Sequence, residues 1–497
     1  MSFMKKTGFD NDKYIRMQSE HIRERIAEFG GKLYMEFGGK LFDDYHASRV
    51  LPGFQPDSKI RMLSQLKDDV EIIVAINSRD IEKNKVRGDL GITYDTDVLR
   101  LIDAFHSYGF YVGSVVLTRF DSSETVLAYK KRLENLGIRV YKHYSIAGYP
   151  SNIPLIISDE GYGKNEYIET KRSLVVVTAP GPGSGKMAVC LSQLYQEHKN
   201  GVMAGYSKFE TFPVWNLALS HPVNLAYEAA TADLNDINMI DPFHLEAYGK
   251  TTVNYNRDVE IFPVLNEMFK RIYGDSPYKS PTDMGVNMVG NCIFDDAVVR
   301  SEARQEIIRR YYKEKCALHK GIGKQEAVDK IELLMKNAGI DIQDRPVVSS
   351  ANLKAKVTGA PAAAIEVKEG LIVTGKTSSL MGASSAMILN ALKVLAGLDD
   401  RVELISPSII EPIHNLKVNR LGHNNPRMHI NEVLIALTIC AATDENAEKA
   451  LAQIDNLADC EVHSSVILSQ EDENTFSRLK VHLTCEPVYQ NEKLFHG

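Results

Sequence analysis

Residues 173–198 read SLVVVTAPGPGSGKMAVCLSQLYQEH. The apolar run at 174–178 predicts a buried strand, and the pattern that starts at Lys186 predicts a helix. The turn between them holds three glycines, Gly181, Gly183 and Gly185. A buried strand that leads through a glycine-rich turn into a helix is typical of α/β proteins.

The same alternation of strand and helix surrounds this stretch. Apolar runs at 70–76, 110–117 and 138–141 predict strands, and amphipathic segments between them predict helices. The runs are continuously apolar, as expected for strands that helices cover on both faces. The sequence therefore predicts an α/β fold with a largely parallel, doubly wound N-terminal sheet.

Beyond this region the pattern changes twice. Helical periodicity dominates after residue 257, and apolar strands return after residue 345 with helices between them, one of them predicted at 379–398. With 497 residues, several domains are expected. We predict three: residues 1–256 as the α/β domain with a P-loop-like phosphate site, 257–345 as a helical domain, and 346–497 as an α+β domain.

Composition excludes several classes of protein. The 58 Lys and Arg against 65 Asp and Glu give a net charge of −7, so no nucleic-acid partner is expected. The six cysteines form no C-x-x-C pair, and no apolar run reaches the length of a membrane span. We expect a cytoplasmic protein with no membrane partner and leave a homo-oligomer open.

The glycine turn has the layout of a phosphate site. Glycines let backbone N–H groups point at an anion, the helix N-terminus adds positive potential, and a lysine reaches the terminal phosphates. The candidate ligand-binding residues are Gly181, Gly183, Ser184, Gly185 and Lys186. The expected ligand is a phosphorylated small molecule, with ATP or another nucleotide and Mg²⁺ as the cofactor class.

The turn departs from the P-loop pattern G-x-x-x-x-G-K-[ST] in two places. Pro180 replaces the first glycine, and Met187 replaces the hydroxyl residue that ligates Mg²⁺. Metal-assisted chemistry is therefore less well supported than phosphate binding, and a glycine-rich turn without a ligand remains an alternative.

The next predicted strand carries a further candidate, Lys208. The step G-Y-x-K at 205–208 resembles dethiobiotin synthetases and related ATP-dependent ligases, in which a lysine on that strand lies near the nucleotide phosphates. The likeness covers about forty residues. It implies that Lys208 neutralises phosphate charge, with Glu210, Asp233 or Asp236 as alternatives for the missing metal ligand.

Other motifs are weaker. Residues 370–377 satisfy the P-loop pattern literally, but four apolar or β-branched residues fill its loop, so a strand is predicted there. Lys376 and the small residues 377–385 are an alternative anion site at a helix N-terminus. Near the N-terminus, residues 38–40 (Gly-Gly-Lys) are a second possible phosphate turn, with a plain turn favoured.

A histidine-rich segment lies further along the chain. His414, His423 and His429 leave three alternatives open: metal binding, polar packing of a loop, and contact with an anionic ligand. No H-E-x-x-H or G-x-S-x-G pattern is present, so the usual zinc-peptidase and serine-hydrolase classes find no support.

Four segments together resemble a known family. They are EFGGKLFDDYHASRVLPGF, VTAPGPGSGKMAVCLSQLYQEH, SPTDMGVNMVGNCIFDD and TGKTSSLMGASSAM, and the likeness to the uncharacterised bacterial family domain of unknown function 1846 extends over essentially the whole chain. The resemblance implies a bacterial cytosolic protein with an α/β N-terminal part, a helical middle and an α+β C-terminal domain. It implies no catalytic residues.

Three hypotheses for function follow. The first is an enzyme, such as an ATP-dependent ligase, transferase or hydrolase, that binds a nucleotide or phosphorylated small molecule at the glycine turn. The second is a non-catalytic regulatory protein that binds the same ligands. The third is a metal-dependent hydrolase that uses the C-terminal histidines.

Overall fold

The computed structural model describes residues 6–39, 41–42, 44–87, 90–234, 236–368 and 370–490. The chain forms two compact units. The N-terminal unit comprises residues 7–228 and 236–302, and the C-terminal unit comprises the described residues of 1–6, 229–235 and 303–497. The three-domain division stays a prediction, because compact units in a folded chain do not show which segments fold independently.

The N-terminal unit alternates helices and strands along the chain. Its elements are α1 (Asn11–Glu28), β1 (Leu33–Phe37), α2 (Tyr45–Val50), α3 (Ser58–Ser64), β2 (Val70–Asn77), α4 (Ser78–Glu82), β3 (Val86–Arg87), β4 (Ile92–Thr93), α5 (Tyr94–Ser107), β5 (Tyr111–Thr118), α6 (Glu124–Asn135), β6 (Val140–Lys142), α7 (Ile153–Ile156), β7 (Leu174–Thr178), α8 (Lys186–Lys199), β8 (Gly205–Phe209), α9 (Pro222–Ala230), β9 (Asn238–Ile240), α10 (Pro242–Tyr248), β10 (Val253–Tyr255), α11 (Asn256–Tyr273), α12 (Pro281–Met284), β11 (Gly285–Val286) and α13 (Asp296–His319). The last residues of α9 and most of α13 belong to the C-terminal unit.

A parallel sheet forms the centre of this unit. Among the described residues, seven strands pair in the order β11-β8-β1-β7-β2-β5-β6, and every neighbouring pair is parallel. Every residue of β2 and of β7 is buried, so both faces of the sheet are covered there. The predicted parallel α/β sheet is confirmed, and the apolar runs are continuous for this reason.

The C-terminal unit contains a smaller mixed sheet. Its elements after α13 are α14 (Gln325–Ala338), α15 (Pro346–Thr358), β12 (Ala362–Lys368), β13 (Leu371–Lys376), α16 (Ala383–Leu395), α17 (Pro407–Asn415), α18 (Ile430–Ala441), α19 (Glu445–Leu451), β14 (Glu461–Ser464), α20 (Gln470–Arg478) and β15 (His482–Cys485). The described strands pair in the order β13-β12-β14-β15, with β14 and β15 parallel and the other pairs antiparallel.

Alternate residues of β12 face two different layers. Ala363 and Ile365 join the main core of the unit with α16, whereas Ala364 packs in a second cluster with Val347 and Ala351 of α15. Because side chains alternate along a strand, one short apolar run supplies both layers. The helices α11, α13 and α14 occupy the middle of the chain, and the α+β arrangement follows them as predicted.

The start of α16 differs from the sequence-based prediction. The helix was expected from residue 379, but it begins at Ala383, after Gly382 as N-cap. The Ser378 hydroxyl accepts hydrogen bonds from the backbone N–H groups of Leu380 (3.2 Å) and Met381 (3.3 Å). A serine that bonds to the backbone in this way stabilises a turn in place of a helical start.

Candidate phosphate site and a buried charge cluster

The glycine turn, residues 179–185, needs its glycines for steric reasons. Gly183 and Gly185 have φ of 77° and 85°, in the left-handed region that glycine adopts at low cost. At Gly181 an added Cβ would lie 2.2 Å from the hydroxyl oxygen of Tyr94. The three glycines in the sequence therefore match one backbone conformation that larger residues would disturb.

Side chains of the neighbouring strands hold the carbonyl groups of the turn. Asn77, at the end of β2, donates from Nδ2 to the Gly183 oxygen at 3.3 Å. Thr118, at the end of β5, donates from Oγ1 to the Ser184 oxygen at 2.7 Å. The buried Ser184 hydroxyl donates to the Gly181 oxygen, also at 2.7 Å. The turn is thus fixed by hydrogen bonds to its acceptor groups.

The backbone donor groups of the turn have no such partners among the residues that the structure describes. In the described part of the chain, no atom accepts a hydrogen bond from the backbone N–H of Gly181 or of residues 183–188, and the helical ladder first reaches Val189, which donates to the Gly185 oxygen at 3.0 Å. Such a row of N–H groups at the N-terminus of a 14-residue helix is a favourable environment for an anion.

The position of the turn in the sheet is also typical of ligand sites. After β7 the chain runs to β8, which lies toward one edge of the sheet. After the adjacent strand β2 it runs to β5, which lies toward the opposite edge. Where connections diverge in this way, a crevice opens outside the carboxyl ends of two parallel strands. Arg119 directly follows β5, and Arg79 is the second residue of α4 after β2; both are exposed, with no ion pair to any residue that the structure describes.

A charge cluster lies at the ends of β1 and β8 beside the turn. It comprises Glu36, Lys186, Lys208, Glu210 and Asp258. The Lys186 Nζ lies 3.9 Å from Glu36 Oε1. The Lys208 Nζ lies 2.9 Å from Glu210 Oε1 and donates a hydrogen bond to Asp258. Glu36 and Lys208 are direct register partners on the paired strands β1 and β8.

The burial of the cluster alters its proton affinities. Burial by itself would lower the pKa of Lys208, but Asp258, Glu210 and Glu36 outweigh it and raise that pKa, so the lysine stays charged. Burial raises the pKa of Glu210 to about 7; Lys208 opposes this rise, and Asp258 adds to it. Trp215 donates from Nε1 to Glu210 Oε2 at 3.3 Å. Burial in this cluster therefore favours the protonated form of Glu210.

Of the three acidic residues that the sequence offers as a metal ligand near Lys208, the structure places one beside that lysine. Glu210 lies beside Lys208, whereas Asp236 forms a 2.7 Å ion pair with Arg257. Asp233 is exposed and belongs to the other compact unit. Over the described ranges, no group of three or more His, Cys, Asp or Glu side chains is placed to hold a metal ion.

Sequence reasoning missed two members of the cluster. Glu36 lies on β1, more than 170 residues before Lys208 in the sequence, and only the strand order brings the two together. Asp258 lies in the first turn of α11, directly after β10, and an acidic residue at the start of a helix after a strand was the available signal. Of the alternative turn at residues 38–40, Lys40 lies outside the described residues.

The literal P-loop match at 370–377 is a strand, as predicted. Residues 371–376 form β13, and Val373 and Thr374 pair with Ile365 and Ala364 of β12. The backbone there belongs to a ladder and does not form a loop.

The three C-terminal histidines have separate partners. The His414 Nε2 lies 2.9 Å from the Leu380 oxygen, and the His429 Nδ1 lies 3.0 Å from Asp472 Oδ2. His423 is exposed. They form no metal-binding group within the described chain, so the geometry gives the metal-hydrolase hypothesis no support.

Comparisons with known proteins show the family of the chain. The N-terminal profile of the domain of unknown function DUF1846 matches residues 7–339, and the C-terminal profile matches residues 343–495. The chain belongs to this family. A UPF0371 protein of Corynebacterium urealyticum is 58% identical over 489 residues, which cover 98% of each chain. A UPF0371 protein of Streptococcus uberis is 56% identical over 492 residues, covering 99% of this chain and all of the relative.

The family resemblance seen in the four sequence segments is therefore confirmed, and the relatives are bacterial. No helix in the described ranges combines the length and the apolar composition that crossing a bilayer requires. The individual phosphate-site residues Gly181, Gly183, Ser184, Gly185, Lys186 and Lys208 stay predictions.

Proposed function

We propose that the N-terminal unit binds the phosphate groups of a nucleotide or another phosphorylated small molecule at the glycine turn and Lys186. One observation carries the proposal: the turn presents backbone N–H groups, from Gly181 through Ala188 except at Pro182, that have no acceptor within the described chain. An anion with several oxygens is the ligand that satisfies such a row of donors.

Charge near the turn supports the same ligand class. Lys186 is largely buried, with 15% of its side chain exposed, and among the described residues its one ionic partner is Glu36, at the long distance of 3.9 Å. A phosphate that entered the turn would offer Lys186 a closer acceptor. Arg79 and Arg119 come after β2 and β5 at the carboxyl ends of the strands and add positive charge.

We further propose that the protein is an enzyme, with Glu210 as the group that accepts or donates a proton. The pKa of Glu210 is raised to about 7, which suits proton transfer at neutral pH. Lys208 lies 2.9 Å from this carboxyl and donates a hydrogen bond to Asp258. Met187 supplies no oxygen ligand, so Mg²⁺ would be held mainly by the phosphates of a nucleotide.

The experiment is a thermal-shift screen of nucleotides and phosphorylated metabolites, with and without Mg²⁺. A ligand at about a hundred times its Kd stabilises the folded state by about 2.7 kcal/mol, enough for a measurable rise in Tm. Lys186→Ala should remove most of that rise. The exposed Lys250, in the same unit, provides the control variant Lys250→Ala, which should keep the full rise.

The outcomes separate the hypotheses. A screen in which every ligand-induced shift survives in Lys186→Ala would refute binding at the glycine turn. If the shift depends on Lys186, turnover of the bound compound then distinguishes an enzyme from a regulatory binding protein. Turnover that is lost in Glu210→Gln while the shift remains would support the proton-transfer role.

A further inference from the structure

A second candidate site lies in the C-terminal unit. A cavity of about 500 Å³ opens where three segments meet, residues 377–385, 421–429 and 466–472. Two of these segments are the ones whose sequences suggested anion binding, the small residues before α16 and the histidine-rich stretch. The volume lies in the range of pockets that take small metabolites.

The N-terminus of α16 lines this C-terminal cavity. The helix has 13 residues, and its N-cap Gly382 has no side chain to accept a hydrogen bond. The backbone N–H groups of Ala383, Ser384 and Ser385 have no acceptor among the residues that the structure describes. Three N–H groups and the helix dipole therefore point to an anion in the cavity.

Ser384 provides an independent indication of a ligand. Its side chain lines the cavity and is only 3% exposed, and its hydroxyl has no hydrogen-bond partner in the described structure. The neighbouring Ser385 is buried too, but its hydroxyl donates to the Met428 oxygen at 3.0 Å. A buried hydroxyl without a partner is costly, and an acceptor bound in the cavity removes that cost.

Positive groups face the same space. The Arg427 Nε donates to the Ser378 oxygen at 2.9 Å, which orients the guanidinium, and its two terminal nitrogens have no partner within the described ranges. His429 is held by Asp472, whose hydrogen bond raises the pKa of the imidazole. Glu471 also lines the cavity, as an exposed carboxylate at its edge.

We propose that this cavity binds the phosphate group of a phosphorylated small molecule. The donors are the N–H groups of Ala383, Ser384 and Ser385, the Ser384 hydroxyl and the Arg427 guanidinium. A phosphate monoester has three terminal oxygens and can accept from all of them at once, whereas a carboxylate has two. The site is separate from the glycine turn and does not depend on the function proposed there.

The test uses inorganic phosphate as the probe and the full-length chain. Amide signals of Ala383, Ser384 and Ser385 are followed by ¹H–¹⁵N TROSY NMR during a phosphate titration. We expect saturable shifts of these signals. Ser384→Ala and Arg427→Gln should each raise the Kd for phosphate by at least about tenfold, since each removes a buried or charged donor. The control Arg420→Gln, an exposed arginine in the same region, should leave the Kd unchanged.

The remaining arms decide between ligands. Acetate that shifts the same amides as strongly as phosphate would overturn the assignment to phosphate. Absence of shifts at residues 383–385 up to tens of millimolar phosphate would overturn the site itself. If Ser384→Ala does not fold, the test uses Arg427→Gln. Lys186→Ala, a change at the glycine turn, should bind phosphate at this cavity with the same Kd as the wild type.

Discussion

Glu461 should contribute strongly to the stability of the C-terminal unit, and Glu461→Gln tests this. Its carboxylate pairs with Arg309 and with Arg345, whose side chain is completely buried. Arg345 also donates to the backbone oxygens of Val462 at 3.0 Å and His482 at 2.8 Å. The change to glutamine keeps the shape of the side chain and removes the charge that two guanidinium groups share.

The magnitude follows from the proton affinity of the carboxyl. Burial by itself would raise the pKa of Glu461, but Arg309 and Arg345 outweigh it and lower that pKa from 4.5 to about 2. Above pH 4.5 the lowered pKa corresponds to about 3 kcal/mol of stability. This contribution decreases as the pH falls below 4.5 and is lost as the pH falls through 2. At pH 3 about 1.4 kcal/mol should remain.

The assay is urea unfolding of wild type and Glu461→Gln at pH 7 and at pH 3. Hydrogen exchange of amides in β14 and β15 is the readout, because it reports on the C-terminal unit separately. Glu403→Gln, an exposed glutamate in the same unit, is the control and should change stability little. A loss of stability that is equally large at pH 3 and pH 7 would show that charge pairing is not its cause.

Two further predictions concern the N-terminal unit. The first is that Glu210→Gln should stabilise the protein relative to wild type as the pH rises. Because the pKa of Glu210 is raised from 4.5 to about 7, ionisation of this carboxyl destabilises the wild-type fold. In urea unfolding, the free energy of unfolding of the variant relative to wild type should increase by roughly 2 kcal/mol between pH 5 and pH 8. An unchanged difference would contradict the raised pKa. The second prediction compares Gly185→Ala with Gly201→Ala. Both place alanine at a positive φ, and calorimetry should show that each lowers the free energy of unfolding by about 1–2 kcal/mol. Only Gly185→Ala, which also crowds Thr118, should reduce the ligand-induced rise in Tm. Equal ligand responses in the two variants would argue against the glycine turn as the binding site.

The local part of the N-terminal site was predictable from sequence. The strand β7, the turn and the start of α8 follow from neighbouring residues, because apolar runs and glycines act on the backbone where they stand. The same holds for β13, whose apolar residues predicted a strand despite the P-loop letters.

The charge cluster was only half predictable. Lys208 and Glu210 are close in sequence, but Glu36 joins them through the pairing of β1 with β8, and Asp258 joins them through the position of α11. Strand order is a property of the whole fold, and no local pattern encodes it. The start of α16 was also misplaced, since the hydroxyl of Ser378 competes for the backbone N–H groups that a helical start would need.

The hydrogen bonds that Asn77 and Thr118 donate to the glycine turn have a consequence for binding kinetics. They bind the carbonyl oxygens of Gly183 and Ser184, so they do not occupy the N–H groups that a ligand would use. Ordering a flexible backbone costs about 1–2 kcal/mol per residue, and a turn that is already rigid avoids that cost when it meets a ligand. Association at the turn should therefore be limited by diffusion and orientation, with no preceding rearrangement of the backbone.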